Sequence, residues 1–234
     1  MANTRFNPTA NGNLHLGHLF TLLVNEHVAH TTGGKFYVRF DDKNNLIAHF
    51  SPHKLKCITQ SQMDDIKWLG VEVDGWSWQS QLLPDVRERI KKSGHKTFPD
   101  PLPGHHKIPL LIRMGADFVA YPYVSQQTAE RVIMDSILNI THVIRGDDFL
   151  TECSLYQYFC QLFELPIPKF VFLPRLTSIN GDISKAVGGY KVASFRQEGY
   201  NSEEIKRLVR EACVYDPNLT WDLYNIKSNP RLNI

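Results

Sequence analysis

No stretch of the chain approaches the roughly 20 consecutive apolar residues that a membrane-spanning helix needs. Residues 1–9 carry neither a basic region nor an apolar segment of the kind a secretory leader requires. Residence in the cytoplasm, with no membrane partner, is therefore expected. Cysteine is sparse, and Cys57, Cys153, Cys160 and Cys213 contain no CxxC pair, which argues against a disulfide framework and a zinc ribbon. They are read as reduced thiols, with Cys153 and Cys160 facing a helix core. Charge of one sign is lacking too. The 26 Lys+Arg against 24 Asp+Glu leave a net +2, which alone makes no case for nucleic acid, because phosphate-binding surfaces concentrate Lys and Arg. Internal repeats and low-complexity tracts are absent. What is present suits a soluble globular protein: 234 residues, 42% apolar and 21% charged, enough for one sizeable core and a small appendage.

Apolar runs alternate with amphipathic ones. Lys35–Phe40, Lys107–Arg113, Thr141–Arg145 and Lys169–Leu173 read as strands, the first and last dominated by β-branched and aromatic residues. Leu16–His30, Leu55–Leu69, Gln126–Leu138 and Ser154–Leu165 carry apolar residues at three- and four-residue spacing, as helices packed on a sheet do. Strand and helix in alternation predict an α/β fold with a mostly parallel, doubly wound sheet. Gly94–Lys107, with Pro99, Pro101, Pro103 and Gly104, reads as a surface connection between two halves. Ser202–Cys213 reads as a final helix, followed by a polar tail over Asp216–Ile234.

The informative segment is Thr4–His18, TRFNPTANGNLHLGH, where a short strand enters a Gly- and Asn-rich turn and a helix begins near His15. A helix start suits phosphate, because its free backbone N–H groups and positive end favour anions, and Gly17 permits close approach of a nucleotide. His15 and His18 are placed to donate to phosphate oxygens as charge builds during attack on phosphorus. Taken alone, an HxGH tetrapeptide is equally well a helix-capping histidine beside a packing one.

Four further blocks follow in order. These are Gly33–Asp42 (GGKFYVRFDD), Gln79–Gln81 (QSQ), Ile140–Asp148 (ITHVIRGDD), and Phe172–Leu176 (FLPRL) with Asn180–Lys185 (NGDISK). Together with the first segment they resemble the catalytic core of class I aminoacyl-tRNA synthetases of the glutamyl type and their shortened relatives that modify a tRNA base. The resemblance implies a Rossmann-like doubly wound parallel sheet of the HUP-type synthetase core over residues 1–200, with a connective segment, 82–117, too short for the usual acceptor-gripping insertion. It also implies a helical extension over 201–234 without an anticodon-binding domain. ATP with Mg²⁺ and an amino acid, glutamate favoured, are the implied substrates. His15, His18 and Lys185 take the catalytic places, and Gly17, Asp148, Leu173 and Ser184 join them around ATP. The amino-acid pocket falls to Arg5, Asn7, Thr9, Asp41, Tyr121, Tyr123, Gln127 and Arg145, with Arg5 and Arg145 gripping the side-chain carboxylate, as guanidinium forks do in two-point fashion. Asp148 is either a ribose ligand or a helix cap. No metal site is assigned to the protein itself, although His95, His105 and His106 lie close in sequence.

The sequence departs from the family pattern at informative places. Asp41 stands where the family has a glutamate for the substrate α-ammonium group, and Asn7 and Thr9 stand where it has smaller residues. The family's substrate tyrosine has no clear counterpart: Tyr121 and Tyr123 lie too far upstream, and spacing selects Gln127. In the mobile loop Asp182 replaces the first of two lysines, which should weaken transition-state stabilisation by about 1 to 3 kcal/mol. The expected activity is formation of an aminoacyl adenylate and transfer to an acceptor. A small-molecule or protein amine is somewhat favoured over a tRNA as that acceptor, because basic residues are few. Two other readings remain: a weak paralogue that binds amino acid or adenylate as a regulator, favoured by Asp41 and Asp182, and a tRNA-binding module without chemistry, disfavoured by the modest charge.

Overall fold

The computed structural model describes residues 1–43, 46–94, 110–114, 117–121, 126–173, 177–178, 181–182, 190–213 and 231–232. In chain order the first half comprises β1 (Thr4–Phe6), α1 (Leu16–Thr31), β2 (Phe36–Phe40), α2 (Pro52–Trp68), β3 (Gly75–Trp78) and α3 (Gln79–Lys92). It is followed by β4 (Leu110–Met114), β5 (Asp117–Tyr121), α4 (Gln126–Ile137) and β6 (His142–Gly146). A 3₁₀ turn over Asp147–Phe149 leads into α5 (Leu150–Leu162) and β7 (Lys169–Leu173). The short strands β8 (Thr177–Ser178) and β9 (Gly181–Asp182), the helices α6 (Val192–Gln197) and α7 (Ser202–Cys213), and β10 (Arg231–Leu232) complete the described elements.

Strands β1, β2 and β3 pair in parallel, with Thr4 opposite Phe36 and Tyr37 opposite Gly75, and β6 pairs in parallel with β7, Ile144 opposite Val171. The amides of Thr141 and His142 donate to the Asn3 carbonyl at 3.0 and 3.1 Å, which sets β6 beside β1. The order β3-β2-β1-β6-β7 reverses direction between β1 and β6, and in sheets of this kind a ligand crevice opens at that point, outside the carboxyl ends of the strands. β4 and β5 form an antiparallel hairpin.

Strand side chains alternate between two faces. Phe36, Val38 and Phe40 of β2, Ile144 of β6, and Val171 and Leu173 of β7 belong to one core with α1 and α7. Val143, Phe170 and Phe172 turn to the other face, against α3, α4 and α5. The helix α1 is apolar on most of its circumference and nine of its residues are buried, among them Leu16, Leu19, Phe20 and Leu22. Asn25 fastens it to the sheet, donating to the Ile144 carbonyl at 3.2 Å while its own carbonyl accepts from Thr4 Oγ1 at 2.7 Å.

Part of the connective segment expected at 82–117 is helical. The helix α3 carries the chain through Lys92, and its Leu83, Val86 and Ile90 are buried against the second face. Pro84 lies inside this helix. The Pro-rich 95–109 stretch lies outside the described residues, as do 214–230 and 233–234 of the tail, of which Arg231–Leu232 pairs with β8.

Candidate active site

The turn after β1 delivers its histidines through local hydrogen bonding. His15 caps α1: its Nδ1 accepts from the Gly17 amide at 3.1 Å, and the Nδ1 of His18 accepts from the His15 amide at 3.3 Å. The two rings stack with centroids 3.7 Å apart. A neutral imidazole that accepts at Nδ1 carries its proton on Nε2, so His18 presents an Nε2–H. Burial, reinforced by the neighbouring His15, pushes His18 down to about 3, and it is therefore neutral near pH 7. Gly17 is required by this packing, since a Cβ there would meet His15 Cε1 at 3.0 Å and Nδ1 at 3.1 Å. The strand-like segment leading into α6 is fastened alongside: Leu16 donates to the Tyr190 carbonyl at 3.1 Å and Val192 to that of Leu14 at 2.9 Å.

A second group gathers at the carboxyl ends of β1, β2 and β6 on the α4–α5 face. Asp135 of α4, 2% exposed, accepts from Arg5 Nε at 3.1 Å, from Arg39 Nη1 at 2.7 Å and from the Tyr156 hydroxyl at 2.7 Å. Burial works against its charge, yet the two guanidiniums and the hydrogen bonds from Arg5 and Tyr156 bring its carboxyl to about 2. Beside it Arg131 is ion-paired to Glu152 at 2.8 Å. Burial opposes its charge as well, and is outweighed by Glu152, Asp41 and Asp135, which raise it above the ordinary value. Arg145 is different. Its guanidinium lies 3.7 Å from the centre of the Phe149 ring, and among the described residues no carboxylate is ion-paired with it. Burial first, then the cations Arg131 and Arg5, lower it to about 9.

Asp41 sits at the end of β2, where its amide donates to the Pro8 carbonyl at 2.9 Å and its carbonyl accepts from Ala10 at 3.0 Å, with Thr9 bridged to it. Its Oδ1 is buried without a hydrogen-bond partner. Arg131 interacts electrostatically with both Asp41 and Arg145, and it flanks the same Phe149 ring as Arg145. Asn7, with its amide turned so that oxygen faces the guanidinium, accepts from Arg39 Nη2 at 2.7 Å.

The structure thus brings His15, Gly17 and His18 to one helix start, and Asn7, Thr9, Asp41 and Arg145 to the adjoining strand ends. Gln127 lies half-buried in the first turn of α4. The other assigned residues are placed as follows. Arg5 donates from Nε to Asp135 and is 2% exposed. Leu173 is 1% exposed and packs in the core of the α1 face, which leaves its backbone alone for a nucleotide. Asp148 does not cap α5, whose N-cap is Phe149 without a side-chain bond. Instead its Oδ1 approaches to 2.6 Å from where a Cβ on Gly146 would stand. Tyr121 ends β5, while Tyr123, Ser184 and Lys185 lie outside the described residues. The sequence reading missed Asp135, Arg39, Tyr156, Arg131 and Glu152. Its one usable signal was the presence of acidic residues inside the otherwise apolar face of α4 and the first turn of α5.

A doubly wound sheet with a histidine-bearing helix start beside buried cations at its switch point defines a Rossmann-like α/β core. The model of the family tRNA synthetases class I (E and Q), catalytic domain, matches residues 1–95 and 84–215, and the chain belongs to this family. Among similar proteins, glutamate–tRNA ligase 1 of Wolinella succinogenes is 26% identical over 268 residues, covering 86% of this chain and 55% of the ligase. The glutamate–tRNA ligase of Aquifex aeolicus is 24% identical, again over 86% of this chain and 55% of the ligase. The chain therefore spans little more than half the length of these relatives. A solved glutamate tRNA ligase from Elizabethkingia meningosepticum, in complex with its amino acid, superposes with a TM-score of 0.72 at 16% identity over 99% of this chain and 67% of that one. This likeness shows the shared Rossmann-like class I fold.

Proposed function

We propose that the protein binds ATP and an acidic amino acid, glutamate first among them, and joins them as an aminoacyl adenylate. The observation that carries this reading is Arg145, a half-buried guanidinium stacked on Phe149 with no ion-paired carboxylate among the described residues. Burying a cation without a counter-charge is unfavourable, and a substrate side-chain carboxylate would supply one. The unpartnered Oδ1 of Asp41 offers a complementary seat for the α-ammonium group. In the reaction an oxygen of the amino-acid α-carboxylate attacks the α-phosphorus of ATP, the bond to the bridging oxygen breaks, and pyrophosphate leaves. The Nε2–H of His18, with the His15 ring stacked beside it, donates to the phosphate oxygens as charge accumulates. Lys185 is five residues before Tyr190, whose carbonyl is fastened to Leu16. The resemblance assigns it, with Ser184, to the triphosphate; both lie outside the described residues. Mg²⁺ is taken to accompany ATP, and no step is assigned to it.

The names of the relatives support glutamate and favour a tRNA end as acceptor over a small-molecule or protein amine. A regulatory role for a slow or inactive core is the second reading, favoured by Asp182 in the loop and by the short Asp41.

The test is amino-acid-dependent exchange of pyrophosphate into ATP, with glutamate first and with total tRNA both absent and present. Exchange is expected with glutamate, and its absence with all twenty amino acids and tRNA would refute the enzyme reading. Arg145→Ala should raise the amino-acid KM steeply, by about 2 to 5 kcal/mol in binding, as for the loss of one member of a buried charged pair. The KM for ATP should stay nearly constant. The reverse pattern would place the pocket elsewhere.

A further inference from the structure

Arg131 is held by Glu152, Nη1 to Oε2, at 2.8 Å, and its guanidinium lies 5.7 Å from the centre of the same Phe149 ring on which Arg145 stacks at 3.7 Å. Phe149 is 2% exposed, so both cations flank a buried ring, with Glu152 at the solvent side of the pair. Arg131 also lies in the field of Asp41, the seat proposed above for the α-ammonium group, and it is one of the cations that Arg145 senses most. The pocket therefore contains two cations of unlike status. Arg145 has no ion-paired carboxylate among the described residues, whereas Arg131 has one in Glu152.

From this arrangement we infer that Arg131 is a second, specificity-determining cation of the amino-acid pocket, and that Glu152 is the internal counter-ion that sets how strongly it acts. The inference rests on the reading of an acidic amino-acid substrate. Its chemistry is a difference between substrates. An acidic side chain at Arg145 gains from the extra positive field of Arg131, while its amide counterpart, of nearly the same shape and uncharged, gains little. Glu152 opposes that field. Selectivity for glutamate over glutamine then depends on the balance of Arg131 and Glu152, neither of which needs to touch the reacting atoms.

Two substitutions separate this role from a merely structural one, because they act in opposite directions. In Arg131→Gln, the ratio of glutamate to glutamine affinity should fall about tenfold or more, the expected effect of removing a unit charge a few ångströms away at an effective dielectric near 20. In Glu152→Gln, which retains shape and leaves Arg131 without its carboxylate, the same ratio should rise severalfold. A residue needed only for packing would weaken both ligands together in both variants. The measurement is calorimetric titration of glutamate and of glutamine into the intact protein and each variant, with a non-hydrolysable ATP analogue titrated alongside as a check that the nucleotide site is formed. Opposite movements of the ratio at unchanged nucleotide affinity support the inference. An unchanged ratio in Glu152→Gln, or a ratio falling in both variants, overturns it while leaving the acidic-substrate reading intact. Should the unmodified protein bind the nucleotide and neither amino acid, the functional reading fails, and this inference with it.

Discussion

Asp135 is the residue on which the amino-acid face of the molecule turns. Two guanidiniums from separate strands and a tyrosine hydroxyl from α5 converge on one buried carboxylate. Removing that charge leaves Arg5 and Arg39, both 2% exposed, facing each other without a counter-ion. Asp135→Asn should therefore destabilise the protein by about 3 to 5 kcal/mol near neutral pH, the range for breaking a buried charged pair. The pH dependence has a definite sign. The carboxyl is depressed from 3.8 to about 2, so its contribution is complete above the ordinary carboxylate pKa and fades as pH falls from about 4 through about 2. Urea midpoints measured from pH 7 downward should show the wild type converging on the Asn variant below pH 4. Parallel profiles would assign the acid sensitivity to other groups.

At the scale of single elements, the proposed nucleotide chemistry falls on the start of α1, where a few hydrogen bonds orient the two histidines. Alanine favours helix over glycine by up to about 1 kcal/mol, so Gly17→Ala should leave thermal stability unchanged or slightly raised. The added Cβ would nonetheless meet the His15 ring at 3.0 Å and displace it from its cap. Pyrophosphate exchange should fall about a hundredfold, the lower end of the range for losing one pre-positioned group, with the melting temperature preserved. Full activity in this variant would mean that the capped orientation of His15 is immaterial. How far such elements could be read beforehand depended on local pattern. Lys169–Leu173 was legible because its side chains alternate between two cores, and Ser202–Cys213 because its apolar positions fall on one helix face. β3 was not, since Gly-Trp-Ser-Trp is half-buried throughout and shows no alternation. The HLGH turn was legible because its chemistry is contiguous in sequence. Asp135 was not, because its partners Arg5 and Arg39 lie 130 and 96 positions away, and only the sheet brings them together.

At the scale of the whole molecule the remaining question is how a chain of net charge +2 would hold a polyanion. Each phosphate contact releases condensed counter-ions and steepens the loss of affinity with salt, so a tight tRNA complex needs many free cations on one surface. The sequence offers two clusters: Lys91, Lys92 and Lys96, and Lys206, Arg207 and Arg210. In the structure Lys92 pairs with Glu88 at 2.6 Å, Lys206 is 9% exposed and paired with Glu203, and Arg207 is 3.8 Å from Glu211; Lys96 lies outside the described residues. Arg207 and Arg210 are the exposed cations of the α7 cluster, and the pairing of Arg207 is of the weak, solvent-screened kind. The matched ligands are nearly twice as long as this chain, so their grip on tRNA need not reside in the half that this chain matches. Weak binding of total tRNA is therefore expected from the 234 residues, with a shallow dependence on salt equivalent to one or two phosphate contacts at a slope of about 0.7 to 0.9 per contact. A filter-binding titration over a range of salt concentrations checks it. Tight binding with a steep slope, abolished when Lys206, Arg207 and Arg210 are replaced by alanine, would show that α7 is a tRNA surface and that its internal ion pairs open to phosphate.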